Sequence, residues 1–173
     1  MFISFEGVDG SGKSTQINLL KFEIEKKGFE CVVLEEPGTT LVGIEIRKIL
    51  KDYEKVGELS SITELFLFAA SRSELVNKEI KPVLTKQRTV LIADRFIDST
   101  LAYQVFGKGV SKNLVDSIHK FVLGSIKPDL TFVLKVNISK ALQRLKKRKK
   151  KNRYDKFSKN FYIKVQKAFI KIA

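Results

Sequence analysis

The residues with the clearest chemistry lie near the start of the chain, in a glycine-rich segment that ends in Gly-Lys-Ser. Gly7, Gly12, Lys13 and Ser14 fit the pattern G-x-x-x-x-G-K-S, in which backbone N–H groups converge on phosphate oxygens. Lys13 supplies a mobile positive charge for the β- and γ-phosphates, and the Ser14 hydroxyl can ligate Mg²⁺. The sequence therefore predicts a site for a nucleoside triphosphate, formed by Gly7, Val8, Asp9, Gly10, Ser11, Gly12, Lys13, Ser14 and Thr15.

Local patterns on both sides of this segment place it between a strand and a helix. The apolar run 2–5 precedes it, and a helical pattern over 13–27 follows it and stops at Gly28, a common helix terminator. A strand, a loop and a helix in this order direct the positive end of the helix at the phosphates. A glycine-rich turn with a chance lysine is the alternative, and the strand and helix context argues against it.

The rest of the chain alternates between apolar runs and helical patterns, with no low-complexity linker and no internal repeat. Buried parallel strands are predicted at 2–5, 31–34, 90–93 and 130–136. Helices are predicted at 13–27, from a capping box at 61–64 towards Pro82, at 98–106, 112–123 and 140–149, and from about Ser158. This alternation predicts an α/β fold, a doubly wound parallel sheet surrounded by helices, with ligands at the carboxyl ends of the strands.

Polar residues follow the second and third predicted strands. Glu36 comes just after the second strand, before Pro37 and Gly38, and Asp94 and Arg95 come at the end of the third. An acidic residue that ends an apolar strand beside a phosphate loop is a typical Mg²⁺-related carboxylate. Asp94 is therefore, with Ser14, a predicted Mg²⁺ ligand. An ordinary turn at Pro37 and a structural pair of Asp94 with Arg95 are the alternatives.

Four motifs in this order closely resemble those of bacterial thymidylate kinases. They are FISFEGVDGSGKST at 2–15, EPG at 36–38, LFAASR at 67–72 and DRFIDSTLAYQ at 94–104. With the segment that follows them, the resemblance extends over residues 2–155. It implies a P-loop nucleoside monophosphate kinase fold, and the transfer of the γ-phosphoryl group of ATP to dTMP with Mg²⁺, giving dTDP for dTTP synthesis.

The resemblance also implies roles for individual residues. Asp9 and Lys13 would lie at the reacting phosphates, and Arg95 would clamp the acceptor phosphate. Phe68 and Arg72 lie four residues apart and share a helix face, so Phe68 can stack on thymine while Arg72 reaches the base edge or the phosphate. Core packing is the alternative for Phe68, because its neighbours are apolar. The implied dTMP-binding residues are Asp9, Glu36, Arg47, Phe68, Arg72, Arg95, Thr100, Tyr103 and Gln104.

A basic segment near the carboxyl end carries the excess charge of the chain, which is +14. Residues 1–130 hold 18 basic and 18 acidic residues, whereas residues 131–173 hold 15 basic residues and a single acidic one, Asp155. Because the phosphate loop contains no arginine, the resemblance implies a mobile lid at about 144–155 that supplies positive charge instead. Arg148 and Arg153 are the predicted donors, since an arginine beside the transferring phosphoryl group can raise the rate by ~10³ or more.

Nucleic acid is the alternative partner for this basic segment. Residues 144–153 contain no aromatic side chain on which a base could stack, so nucleic acid is not expected. ATP and dTMP are the predicted partners. Two other functions stay open: another nucleoside monophosphate or deoxynucleoside kinase, or a P-loop NTPase that binds nucleic acid through residues 144–153.

Length and composition predict a single P-loop kinase domain over residues 1–173. Cys31 is the only cysteine and opens an apolar strand, which suits core packing in a reducing compartment. No apolar run approaches the roughly 20 residues of a membrane span, and the first residues lack the pattern of a signal peptide. We therefore expect a cytoplasmic protein without membrane contact. The chain stops at Ala173, and we expect the C-terminal strand and helix that are usual in the family to be absent.

Two expectations concern helix surfaces. The helix that runs from Thr63 is apolar around more than one face, which, with the family resemblance, predicts a homodimer. His119, the single histidine, matches no motif, and we expect it on a helix surface.

Overall fold

Four parallel strands form the centre of the computed structural model, which describes residues 1–51, 56–147 and 153–173, without the side chains of 155 and 156. The strands are β1 (Phe2–Glu6), β2 (Glu30–Glu35), β3 (Thr89–Asp94) and β4 (Leu130–Val133), in the spatial order β2-β3-β1-β4. Asp94 lies level with Phe5 of β1 and with Glu35 of β2. The carboxyl ends of these three strands therefore meet at one edge of the sheet, where the polar clusters were predicted.

Helices surround this sheet. They are α1 (Lys13–Lys26), α2 (Leu41–Lys51), α3 (Ser61–Leu75), α4 (Lys81–Leu84), α5 (Ile97–Thr100), α6 (Lys112–Leu123), α7 (Ile138–Lys146) and α8 (Lys159–Ile172). The π-helical turn Val76–Ile80 joins α3 to α4, the π-helical segment Leu101–Gly107 continues α5, and the 3-10 turn Arg153–Lys156 precedes α8. Within the described residues, no helix combines the length and apolar character needed to cross a bilayer.

Alternate residues of the strands pack against helices on opposite faces of the sheet, as the two-residue period of a strand requires. Phe2 and Leu91 belong to a core that includes residues of α3 and its π-helical continuation. Ile3 and Ile92 belong to a second core, which is closed by α1. Cys31 lies in this second core as a buried free thiol, which agrees with its predicted packing role. The two cores hold the carboxyl edge of the sheet rigidly between α1 and α3.

The structure corrects three local predictions. β4 is shorter than predicted and lies at the sheet edge, where Leu130 and Phe132 are 44% and 41% exposed rather than buried. The N-cap of α3 is Ser60 rather than Ser61, because the Ser60 hydroxyl accepts a hydrogen bond from the Thr63 N–H at 3.1 Å. The helix predicted over 98–106 is α5 followed by a π-helical segment.

Candidate active site

The glycine-rich loop joins β1 to α1 and lies close to two later segments of the chain. Gly7 has a φ of 133° and Gly10 a φ of 77°, values that favour glycine. A Cβ atom at Gly7 would approach the Leu134 carbonyl oxygen to 2.7 Å, and one at Gly10 would approach that of Ala141 to 2.7 Å. Glycine is therefore needed at both positions for the loop to deliver the amino end of α1 to the cleft.

Lys13, the first residue of α1, is held against this loop. Its side chain is buried, and Nζ donates to the carbonyl oxygens of Gly7 at 3.2 Å and Val8 at 3.4 Å. Burial, together with repulsion from Arg95, lowers the pKa of Lys13 from 10.5 to about 8. Lys13 is still charged at neutral pH, and a bound phosphate would stabilise that charge.

Ser14 and Asp94, the two predicted metal ligands, lie side by side. The Ser14 hydroxyl donates to Asp94 Oδ2 at 3.2 Å, because the ends of β1 and β3 lie level. Both offer oxygen atoms, which suit Mg²⁺, a metal that takes few protein ligands and completes its shell with water and substrate phosphates. The described part of the chain contains no group of three or more His, Cys, Asp or Glu residues that could hold a metal. The oxygen atoms of Ser14 and Asp94 therefore fit a Mg²⁺ ion whose other ligands would be water and phosphate oxygens.

Arg95 links the phosphate loop to the rest of the cleft. Its Nη1 donates to the Gly7 carbonyl oxygen at 2.9 Å and to Ser99 Oγ at 3.0 Å, and its Nη2 donates to Asp9 Oδ1 at 2.6 Å. Its guanidinium lies 5.3 Å from the centre of the Tyr103 ring. The backbone φ of Arg95 is 76°, which is uncommon for a residue with a side chain and marks a constrained position.

Glu6, the last residue of β1, fixes the segment that follows Arg95, and sequence reasoning missed it. Its buried carboxylate accepts hydrogen bonds from the Phe96 N–H at 2.7 Å and the Ser99 hydroxyl at 2.6 Å. Burial raises the pKa of Glu6 from 4.5 to about 7, against the lowering effect of the Ser99 hydrogen bond. Glu6 thus holds the backbone on the carboxyl side of Arg95 in place.

Arg72 forms a buried polar network beside the cleft. Only 2% of this residue is exposed, its Nε donates to Glu36 Oε1 at 2.6 Å, and its Nη2 donates to the Phe96 carbonyl oxygen at 3.2 Å. The third contact is with His119, whose Nε2 lies 2.7 Å from Arg72 Nη1. His119 is therefore half-buried and bonded to a predicted site residue, which corrects its expected place on an open helix surface.

Lys13, Ser14, Asp94, Arg95 and Arg72 line one cleft of about 890 Å³. It is lined by all nine residues with an implied dTMP-binding role, namely Asp9, Glu36, Arg47, Phe68, Arg72, Arg95, Thr100, Tyr103 and Gln104. Thr100 and Gln104 are each 2% exposed, and Gln104 Nε2 has no hydrogen-bond partner among the described residues. A buried amide that lines a cleft and lacks a partner is a group for a ligand to satisfy.

Arg47 reaches the cleft from α2 and is held by the loop after β2. Its Nη1 donates to the Pro37 carbonyl oxygen, and its Nη2 forms an ion pair with Glu35. The Pro37 segment, for which the sequence left an ordinary turn as the alternative, therefore also holds a site arginine in place.

Comparisons with known proteins agree on one family. The sequence model described as thymidylate kinase matches residues 5–173. The chain belongs to the thymidylate kinase family. It is 41% identical to the thymidylate kinase of Kosmotoga olearia over 173 residues, which is 100% of this chain and 82% of that protein. It is 39% identical to that of Halothermothrix orenii over 176 residues, covering 100% and 84%. The crystal structure of the thymidylate kinase from Ehrlichia chaffeensis matches with a TM-score of 0.79 and 38% identity, covering 100% of this chain and 82% of that one.

Membership of the thymidylate kinase family confirms the predicted fold class and activity. The parallel four-stranded sheet surrounded by helices is the P-loop nucleoside monophosphate kinase fold. The enzyme is a phosphotransferase that phosphorylates dTMP with ATP as the donor. The dTMP kinase interpretation therefore holds over the other kinases and over the nucleic-acid-binding NTPase.

The basic lid expected from the thymidylate kinase resemblance lies partly outside the described residues. Arg148, one of its two predicted arginine donors, is among the residues 148–152 that fall outside them. Arg153, the other, is 7% exposed, and its Nη2 donates to the Gly57 carbonyl oxygen at 2.6 Å. Its Nη1 lies 3.6 Å from Oε1 of the buried Glu64. The contacts described for Arg153 are thus with Gly57 and Glu64 and not with the phosphate loop.

Arg144, at the start of the segment for which a lid was expected, lies at the phosphate loop. It is exposed, lines the cleft and donates from Nη1 to the Gly10 carbonyl oxygen at 2.9 Å. Sequence reasoning missed it as a site residue, although it opens the basic segment. The available signal was its place on α7 between Ala141 and Leu145, which are buried and therefore fix the direction of that helix. Tyr154 also lines the cleft and was missed.

Proposed function

We propose that the cleft holds ATP and dTMP together, with their reacting phosphates meeting beside Arg95. The phosphate loop and Lys13 would bind the triphosphate, and the acceptor phosphate would lie between Arg47 and Arg95. One observation carries the proposal: Arg95 bonds to Asp9 of the phosphate loop and lines the same cleft as the acceptor-side residues.

The base would be recognised by stacking and by directed donors. The thymine ring would lie against Phe68, which is half-buried and lines the cleft. A guanidinium has five N–H groups, and Arg72 uses three of them within the protein, which leaves two for a base carbonyl. Gln104, whose Nε2 is without a partner in the described part of the chain, would pair with the edge of the base.

Phosphoryl transfer would need positioning and countercharge more than proton removal. A phosphate oxygen of dTMP attacks the γ-phosphorus, the bond to the β,γ-bridging oxygen breaks, and ADP leaves with that electron pair. The acceptor phosphate dianion has no proton to lose, so Asp9 would orient Arg95 rather than act as a base. Lys13 and Arg95 would neutralise charge on the transferring group. Mg²⁺, held by Ser14 and Asp94, would supply further countercharge when bound.

The lid at about 144–155 would complete the donor side. Arg144 already contacts the phosphate loop, and with Arg148 it would face the transferring phosphoryl group. Arg153 would act mainly as the anchor of the lid, through its ion pair with Glu64. Of the two predicted arginine donors, Arg148 would contact phosphate and Arg153 would hold the lid.

A coupled assay across dTMP, dUMP, dCMP, AMP and GMP tests the pocket. The dTMP:dCMP ratio of kcat/KM should be at least about tenfold, because the cytosine amine would face a donor of Arg72 and leave it unpaired. Phe68→Ala should lower the kcat/KM for dTMP, whereas Arg72→Gln should lower the dTMP:dCMP ratio of kcat/KM. Equal use of dCMP and dTMP by the wild type, or an unchanged ratio in Arg72→Gln, would contradict the proposed pocket.

We also propose a homodimer that forms through the apolar groove between α3 and α6. Phe121 is 91% exposed and Phe66 is 54% exposed, an apolar surface of the kind that marks protein interfaces. The groove is lined by Phe66, Ala69, Ala70, Ser73, Ser117, Ile118, Phe121 and Val122.

Light scattering should give the mass of two chains for the wild type and of one chain for Phe121→Asp. Phe22→Asp, at an exposed residue of α1 outside the groove, should stay dimeric, and a wild-type mass of one chain would rule the dimer out.

Residues 1–173 would act as one kinase domain in the cytoplasm, where ATP and dTMP are available. The buried free thiol of Cys31 suits a reducing compartment. Fractionation of cells that express the tagged chain tests the compartment, and a single cooperative unfolding transition is the outcome expected for one domain.

A further inference from the structure

The guanidinium of Arg72 is held on three sides. Glu36 accepts from Nε, the Phe96 carbonyl accepts from Nη2, and His119 lies 2.7 Å from Nη1. The first two contacts come from the strand ends at the carboxyl edge of the sheet. The third comes from α6, which follows the site motifs in the chain and contains none of them.

The contact with His119 has only one possible direction. Arginine is a donor with no acceptor atom, so Nε2 of His119 must be the acceptor and must carry no proton. The imidazole is therefore neutral, with its proton on Nδ1. In agreement, burial together with the charge of Arg72 lowers the pKa of His119 to about 3.

Packing fixes the position of this imidazole relative to Arg72. Val115, one turn before His119 on α6, is buried in the same apolar cluster as Leu65 of α3. Arg72 lies on α3 itself. The two helices are thus locked together, and the distance between the histidine and the arginine is set by buried apolar contacts rather than by flexible surface side chains.

We propose that His119 is a positioning residue for base selection, which holds the plane of the Arg72 guanidinium so that its two remaining N–H groups face the base carbonyl. This inference rests on the proposed role of Arg72 in the pocket. With His119 in place, each terminal nitrogen of Arg72 keeps one N–H for the ligand. Without it, Nη1 has two unpaired N–H groups and the guanidinium can turn towards other acceptors, including those of a wrong base.

The experiment compares His119→Leu and His119→Asn with His119→Gln. Leucine offers no acceptor and the asparagine amide is too short to reach Arg72, whereas the glutamine amide oxygen can stand in for Nε2. We expect His119→Leu and His119→Asn to raise the KM for dTMP by about three- to tenfold and to lower the dTMP:dCMP ratio of kcat/KM by at least about threefold. We expect the kcat of His119→Leu and His119→Asn to stay within about twofold of the wild-type value. We expect the dTMP:dCMP ratio of His119→Gln to be within about twofold of the wild-type ratio.

The dTMP:dCMP ratio is the deciding measurement, because it is taken on one preparation and does not depend on the folded fraction. A purely structural role of His119 would lower the melting temperature and leave this ratio unchanged. If Arg72→Gln lowers the dTMP:dCMP ratio while His119→Leu and His119→Asn leave it unchanged, the inference about His119 is wrong and the proposed pocket stands. If Arg72→Gln also keeps the ratio, the role of Arg72 fails and the inference falls with it.

Discussion

The proposed acceptor pocket and the proposed lid side of the cleft hold their arginines in opposite ways. In the pocket, Arg72 is buried against Glu36 at 2.6 Å, and the half-buried Arg95 pairs with Asp9 at 2.6 Å. On the lid side, Arg144 is exposed, donates to a backbone carbonyl and pairs with no carboxylate among the described residues. The arginines of the first group are paired with acids, whereas Arg144 offers a positive charge that no described carboxylate pairs with.

This difference suits the role proposed for each half. Choosing thymine requires donors at fixed positions, and a buried cation stays at a fixed position only when an acid and further acceptors hold it. Stabilising a transferring phosphoryl group requires net positive charge, which an ion pair within the protein would cancel. The proposed pocket therefore resembles a protein interior, and the exposed Arg144 belongs to a charged surface that a bound nucleotide would complete.

The largest effect is expected from Lys13, the buried cation of the donor side. Lys13→Ala should lower kcat by about 10³-fold, because the transferring phosphates lose their nearest point charge. The stability of the ligand-free enzyme should not fall, since a buried charge is removed. Steady-state kinetics measures kcat, and thermal melts measure the stability. Lys21→Ala, at an exposed lysine of α1, is the control. A loss of kcat of less than about tenfold would contradict the assignment of Lys13.

The next effect concerns stability and separates two neighbouring acids. Glu36→Gln should lower the free energy of unfolding by about 3 kcal/mol, because it leaves the Arg72 charge buried without its ion pair. Glu35→Gln breaks the exposed pair with Arg47 and should cost less than about 1 kcal/mol. Urea unfolding of both variants provides the comparison. Equal losses would show that the buried pair of Glu36 with Arg72 is no more important for stability than the exposed pair of Glu35 with Arg47.

The lid arginines should divide into two classes. Arg144→Ala should lower kcat by about 10- to 100-fold with little change in the KM for dTMP, as expected for a contact made mainly in the transition state. Arg148→Ala should behave in the same way. Arg153→Ala should instead lower the melting temperature, because the buried Glu64 loses a cationic partner. Lys147→Ala is the control, and equal losses of kcat in all four variants would remove the distinction.

A smaller effect is expected from pH. The pKa of Lys13 is lowered to about 8 in the free enzyme, so its cation is lost as the pH rises through this value. The kcat/KM for ATP, which reports the free enzyme, should therefore fall above pH 8 by about tenfold per unit. The kcat at saturating ATP should stay constant to a higher pH than kcat/KM does, since bound phosphate would raise the pKa of Lys13. A kcat/KM that is flat up to pH 10 would show that Lys13 is not perturbed.

Local sequence patterns predicted the elements and motifs that depend on near neighbours. The period of two in the strands, the glycine pattern of the loop and the stop at Gly28 each involve residues within a few positions of one another. They predicted the sheet, α1 and the position of the phosphate loop. The π-helical segments were not predicted, because a local change to i→i+5 hydrogen bonding depends on tertiary packing that neighbouring residues do not specify.

Contacts between distant parts of the chain could not be predicted in the same way. His119 contacts Arg72 from 47 residues away, Glu6 binds the Phe96 N–H from 90 residues away, and Arg144 reaches Gly10 from 134 residues away. Each contact depends on how helices pack against the sheet, which the local pattern does not specify. The motifs predicted residues that line the cleft, and the structure was needed to find the residues that hold them.

Calorimetric titration of dTMP into the enzyme without ATP tests the difference between the two halves most directly. A pocket that is fixed in advance should bind dTMP without ATP, Arg72→Gln should weaken this binding by at least about tenfold, and Arg144→Ala should leave it within about twofold of the wild type. Binding of dTMP only in the presence of an ATP analogue, or equal weakening by the two variants, would show that the pocket and the lid form one unit and would contradict this account.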